Sequence, residues 1–301
     1  MPGYRSVVAA VDFHGNAQSV LDQMLRISGW NRSAMRVVHV IDALVMVELE
    51  EAVAQFTKDV RANLVDDAKK LWAERVAATP GAAAATLDVR IGRAADGILQ
   101  ATREAKADLL VLGAHAPGES NVGFGTVATA CVRGAEGDVL LVREGQKGAF
   151  RRIVACVDFS ETSAVALERA VSLATQDGAA LHVVHVFDAP WHRLHYRGPT
   201  PQSAPTFQVE YRELLARKLK GFAGEVGADL GFLKPEFVLF DAGTHRHGIS
   251  EYAKDVSADL VVMGTRGKSN VRDLLLGSTA ERTLRKAACS VLAVRPRKAD
   301  A

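Results

Sequence analysis

"RSVVAAVDFHGNAQSVLDQMLRISGW" (5–30) and "RRIVACVDFSETSAVALERAVSLATQ" (151–176) are two versions of one segment, and Asp12 answers Asp158 at a spacing of 146 residues. Each begins as an apolar run, passes through Val-Asp-Phe and then takes up helical periodicity. The same spacing relates "VVHVIDA" (37–43) to "VVHVFDA" (183–189), His39 answering His185. Farther on, "GRAADGILQATREAKADLLVLG" (92–113) matches "GTHRHGISEYAKDVSADLVVMG" (243–264) at 151 residues, so the second copy has gained five residues between these points. "DVLLVRE" (138–144) then answers "SVLAVRP" (290–296). The chain of 301 residues therefore reads as two copies of one domain, 1–146 and 150–301, joined near "EGQKGAF" (144–150), a Gly and polar stretch suited to a linker.

Within each copy, short Val, Leu and Ile runs alternate with helix-period segments in the order β-α-β-α-β-α-β-α-β. Runs such as "LHVVHVF" (181–187) and "DLVVMG" (259–264) are too continuously apolar for a sheet with one wet face. They suit a five-stranded parallel sheet covered by helices on both sides, an α/β doubly wound domain present in tandem. Ligands of such sheets bind beyond the carboxyl ends of the strands, where helix N-termini present N–H groups.

Composition narrows the functions. Hydrophobic residues make up 48% and charged residues 24%, which is ordinary for a globular protein, and the net charge of +2 comes from interspersed signs. No broad basic field marks a nucleic-acid or anionic-lipid partner. No apolar run approaches the roughly 18 residues of a membrane span, and the N-terminus lacks a secretory h-region, so a cytoplasmic protein is expected. Cys131, Cys156 and Cys289 form no CxxC and read as reduced thiols rather than disulfides or zinc ligands.

The stretch "GTRGKSNVRDLLLGST" (264–279) follows an apolar strand and invites comparison with phosphate-binding loops. A Walker A loop would need a glycine where Val262 stands, inside the strand. A dinucleotide fingerprint can be forced onto "GFGTVA" (123–128), but the strand before it ends at Gly113 and no acidic strand end follows. The pattern that fits is G-x2-G-x9-G-[ST], on Gly264, Gly267, Gly277 and Ser278. Together with "VDFS" after the first strand and "HVVHVF" in the second, it resembles the ATP-binding branch of the universal stress protein family, over nearly the whole chain. The resemblance implies an adenine nucleotide alpha hydrolase-like fold and a bound ATP, with Mg2+ or Mn2+ as an accompanying ion. It assigns Asp158 to the adenosine end, the Val186 backbone to adenine, and Gly264, Gly267, Gly277, Ser278 and Thr279 to ribose and phosphates. It leaves open whether Arg266 or Lys268 adds charge. Physically, Gly264 and Gly267 permit close backbone approach, and the last helix would offer its positive end to an anion.

Structural readings stand beside these. Ser278 and Glu281 have the spacing of a capping box, Asp158 could cap a turn, and His39 and His185 read as satisfied strand histidines. His192 with His195, and His245 with His247, would need their loops to converge to bind a metal. The stretch 44–78, with its methionines and Trp72, reads as core or interface. The first copy departs from the motif: Ala116 replaces the second glycine, and its loop reaches Gly125-Thr126 four residues sooner. Asp12 and Val40 remain, which leaves room for an adenine-sized pocket, while His14 replaces Ser160. The first copy is thus expected to be a degenerate domain kept for assembly or another ligand.

The leading expectation is a stress-response protein that binds ATP in its second domain and acts as a nucleotide-dependent regulator with an unidentified protein partner. No nucleophile–base pair is recognisable, so an enzyme would be at most a slow ATP hydrolase or phosphotransferase. An ATP-independent scaffold or small-lipophile carrier is the third reading. By the same resemblance, the Val- and Leu-rich last strands would pair edge to edge as an intramolecular pseudo-dimer, and a homodimer is open.

Overall fold

Val, Leu, Ile and Ala runs without polar residues at alternate positions need cover on both faces, and in the computed structural model they form the middle of parallel sheets. The structure describes residues 3–13, 15–53, 59–114, 124–189, 191, 205–226, 230–241, 248–267 and 276–297. The chain divides into two units, Met1–Gly148 and Ala149–Ala301.

The first unit contains β1 (Ser6–Ala10), α1 (Ala17–Asn31), β2 (Ala34–Asp42), α2 (Ala43–Val53), α3 (Val60–Ala78), β3 (Thr86–Gly92), α4 (Ala94–Glu104), β4 (Leu109–Gly113), α5 (Thr126–Gly134) and β5 (Asp138–Val142). Its strands lie in the order β3-β2-β1-β4-β5, every pair parallel. The second unit contains β6 (Arg152–Cys156), α6 (Glu161–Asp177), β7 (Ala180–Phe187), α7 (Pro205–Glu225), β8 (Glu236–Asp241), α8 (Gly248–Asp255), β9 (Leu260–Gly264), α9 (Ser278–Lys286) and β10 (Ser290–Val294). Its order is β8-β7-β6-β9-β10, again all parallel. In each unit the chain moves outward from its first strand on one side and then returns to the other side. The reversal leaves a crevice at the carboxyl ends of β1 and β4, and likewise of β6 and β9.

The repeat extends to backbone detail that no hydrophobic pattern encodes. Phe13 and Phe159 both adopt a left-handed backbone, with φ of 61° and 62°. Arg32 and Gly178 end α1 and α6 the same way, at 51° and 65°. Asp108 accepts hydrogen bonds from the Arg5 and Ser6 N–H groups, and Asp259 does the same for Arg151 and Arg152, so one carboxylate secures the start of the first strand in each unit. Within the stretch 44–78 lie most of α2 and all of α3; residues 54–58 lie outside those described. Met46 is buried, whereas Leu44 and Val45 are exposed.

A capping box does occur, at a place the sequence pattern did not mark. Ser160 caps α6: its Oγ accepts from the Ser163 N–H at 3.1 Å, and the Ser163 Oγ accepts from the Ser160 N–H at 3.1 Å. Ser160→Ala is expected to cost about 1 kcal/mol, which lowers the Tm of a unit of this size by about 2–4 °C. Thermal denaturation of the full chain followed by circular dichroism checks it.

Candidate functional site

The second unit's crevice is organised by the turn after β6. Phe159 carries a bulky side chain at positive φ, a conformation that persists only when its surroundings hold it. Its ring packs on His185 with centroids 4.4 Å apart, meets Phe222 edge-on at 5.6 Å, and lies 4.6 Å beneath the Lys218 Nζ. His185 is held in turn, its Nδ1 lying 2.8 Å from the Val157 carbonyl. His39 repeats this in the first unit, 2.9 Å from the Val11 carbonyl and 4.8 Å from the Phe13 ring. Both histidines are therefore part of the turn's support, as strand histidines with satisfied partners.

The turn fixes the Asp158 carboxylate. Its Oδ1 accepts from the Ser160 N–H at 3.0 Å and from the Ser160 Oγ at 2.5 Å, so one oxygen does serve the turn and the helix cap. Its Oδ2 faces the loop after β9. A Cβ placed on Gly267 would stand 2.6 Å from this oxygen, and one placed on Gly264 would stand 2.9 Å from the Thr162 Cγ2. Neither glycine has a positive φ. Their requirement is space: the loop backbone lies directly against Asp158 and Thr162, where any side chain would collide.

The far side of the cradle is the start of α9. Gly277 is the N-cap and offers no side chain to the first turn, and its own N–H donates to the Thr265 carbonyl at 2.8 Å. Thr265 is anchored by its N–H and Oγ1, which donate to the Val294 carbonyl at 2.8 and 3.1 Å. The Ser278–Glu281 capping box is not formed. Arg282 donates to the Ser278 Oγ at 3.4 Å, and Glu281 pairs with Arg285 at 2.8 Å, because Gly277 already occupies the cap position. Ser278 and Thr279 are exposed on the first turn, where N–H groups lack intrahelical partners and the dipole favours an anion.

Asp158, Gly264, Gly267 and Gly277 thus converge on one crevice, with Ser278 and Thr279 at its helical rim. Val186 lies near the end of β7, on the other side of β6 from β9, in register with Phe240. Lys268 lies outside the described residues, as do His14, Ala116, His192, His195, His245 and His247. Sequence reasoning used "VDFS" as a motif but assigned no site role to Phe159, Ser160 or Thr162; the recurrence of Val-Asp-Phe in both copies was the available signal for the first.

The first unit builds the same frame with one exchange. Gly125 caps α5 and donates to the Ala114 carbonyl at 2.9 Å, and a Cβ on Gly113 would stand 2.6 Å from the Asn16 Nδ2. Ala114 has no hydroxyl to repeat the bond from Thr265. The Val142 carbonyl takes its second hydrogen bond from the Asn16 Nδ2 instead, at 2.9 Å, beside the Ala114 N–H at 2.9 Å.

Burial raises the Cys131 thiol to about 12. Burial first, then Cys289 and Asp158, push Cys156 upward as well. Both remain protonated at neutral pH, which removes thiolate chemistry from them. Among the described residues, no group of three or more His, Cys, Asp or Glu side chains could hold a metal ion. No helix among them is long and apolar enough to cross a membrane.

Two parallel doubly wound units in one chain are matched among known proteins. The model of the universal stress protein family matches residues 3–143 and 149–295. The chain belongs to the universal stress protein family, as a tandem of two such domains. A universal stress protein of Methanocaldococcus jannaschii is 32% identical over 161 residues, covering 53% of this chain and 90% of that protein. One of Mycolicibacterium smegmatis is 24% identical over 310 residues and covers 97% of each. A crystal structure described as a putative universal stress protein of Pseudomonas aeruginosa superposes with a TM-score of 0.64 at 20% identity, over 97% of this chain and 94% of that one, and so shares the fold.

Proposed function

We propose that the second unit binds ATP and that the protein acts as a nucleotide-dependent regulatory module in a stress response. The observation that carries this is the cradle around Gly267, where only a residue without a Cβ lets the loop lie against Asp158. Loop backbone free of side chains beside a helix N-terminus is the kind of setting in which N–H groups bind phosphate. Asp158 holds the sugar end of the nucleotide through Oδ2, while Oδ1 stays with Ser160; the Val186 backbone takes the adenine edge. Gly264, Gly267, Gly277, Ser278 and Thr279 line the phosphates, with Arg266 next to the second glycine. Among the described residues, no group of three or more His, Cys, Asp or Glu side chains identifies ligands for Mg2+ or Mn2+.

This arrangement can hold and orient a nucleotide. Regulation then requires the nucleotide to bind two states of the protein unequally. Denaturing the purified full chain and identifying the released small molecules by mass spectrometry tests the reading. One adenine nucleotide per chain is expected. A nucleotide-free protein that also shows no ATP binding by calorimetry overturns it.

A further inference from the structure

β3 ends the first unit's sheet, and among the described residues no strand pairs with its outer side. Natural edge strands are commonly blunted by Pro, by Lys or by a bulge. "TLDVRIG" (86–92) contains neither Pro nor Lys, and it pairs with β2 in unbroken register. We propose that β3 pairs antiparallel with β3 of a second copy of this chain, about a twofold axis passing beside Val89.

The strand is complementary to itself in that register. With Val89 opposite the partner's Val89, Asp88 stands opposite the partner's Arg90 and Leu87 opposite the partner's Ile91, and the axis repeats both pairs. The Arg90 Nη2 meets Glu104 of α4, so Asp88 and Arg90 lie on the α4 side of the sheet. Leu87, Val89 and Ile91 alternate onto the other side. The chain runs outward from β2 to β3 and back from β3 to β4, so right-handed crossovers put α2 and α3 on that apolar side. There Leu44, Val45, Val47 and Leu49 of α2 are exposed, and both helices pack on β3. Pairing about the axis keeps each face on its own side, so charges meet charges and the apolar stripe is extended by a second copy of itself.

Asp88 is set to receive another cation. The Arg90 Nε and Nη2 donate to its Oδ2 at 3.0 and 2.8 Å, and Arg36 lies 3.9 Å from the same oxygen. Its Oδ1 accepts no hydrogen bond among the described residues. An open groove lined by Asp88, Arg90, Asp96 and Glu104 leaves room on this side for the partner's guanidinium. Four groups then alternate in sign around the axis. β8, which ends the second unit's sheet, carries Glu236 and Asp241 and no cation, so it cannot offer this match to its own copy. Nothing in the pairing depends on ATP binding to the second unit.

Cross-linking of the full chain tests the register. In Val89→Cys the two introduced thiols face each other across the axis, and mild oxidation is expected to give a covalent dimer joined at position 89, located by mass spectrometry against oxidised wild type. Leu87→Cys should cross-link to itself at least ~10-fold less, because its own counterpart lies beyond the roughly 7 Å of Cα separation that a disulfide can span. In sedimentation equilibrium the wild type is expected to dimerise, and Asp88→Arg, which sets two arginines opposite each other twice, to weaken the dimer at least ~10-fold. Mixing Asp88→Arg with Arg90→Asp restores opposite charges and should restore association. If Arg90→Asp does not fold, hydrogen exchange of the wild type replaces it, with protection of the 86–92 amides rising with protein concentration. A chain monomeric at every concentration, a dimer without the position-89 cross-link, or a dimer that leaves exchange over 86–92 unchanged overturns the proposal. Open assemblies larger than a dimer, as head-to-tail pairing of β3 with β8 would give, also overturn it.

Discussion

Gly267→Val is expected to lower the affinity of the second unit for ATP by ~100-fold or more. A single Cβ at this position would stand 2.6 Å from the Asp158 Oδ2, closer than real Cβ contacts come, and the atom it meets is part of a carboxylate already held by Ser160. Neither side yields cheaply. The loop must lift away from the crevice, and the branched side chain then fills the space where phosphate oxygens would meet backbone N–H groups. β9 and β10 lie below the change and pair in full register, so the fold should survive. Calorimetric titration with ATP, alongside a thermal melt, reads both quantities. Unchanged affinity in a folded variant removes the assignment of this loop.

Asp158→Ala is expected to weaken ATP binding by ~1–3 kcal/mol, the cost of losing a hydrogen bond to a partly desolvated group. Part of the effect is indirect: Oδ1 orders Ser160, which caps α6, so the variant should also lose thermal stability. Asp12→Ala in the first unit is expected to leave ATP affinity nearly unchanged, because the sequence after β4 has Ala116 in place of the second glycine and no Lys or Arg between 114 and 125. Equal losses from the two substitutions, measured by calorimetry, would mean that both units hold the nucleotide.

The doubly wound order was legible because continuous apolar runs such as Leu260–Gly264 leave few alternatives to a parallel sheet, and because each element was written twice. The convergence of Asp158 with Gly264, Gly267 and Gly277 was legible from motif spacing and strand ends. What escaped was local geometry in which several weak preferences compete. Ser278 had the residue type of a cap and Glu281 the matching spacing, yet Gly277 took the cap position because its N–H is tied back to the Thr265 carbonyl. Ser160 has only Ser163 as its reciprocal partner, a pairing outside the usual Glu or Gln pattern. The left-handed Phe159 was hidden because single-residue preference argues against it; its ring packs on His185, Phe222 and Lys218, all three distant in sequence.

The different second donors to the carbonyls of Val142 and Val294 make the two halves unequal as sources of spare parts. In the first half, that donor comes from Asn16, on the segment leading into α1; in the second it comes from Thr265, on the loop after β9. The two solutions reside on pieces of chain about a hundred residues apart in each repeat. A chimera that joins the opening segment of one repeat to the closing segment of the other inherits either both donors, crowded on one oxygen, or neither. Recombination between the halves is therefore compatible only when the two positions travel together.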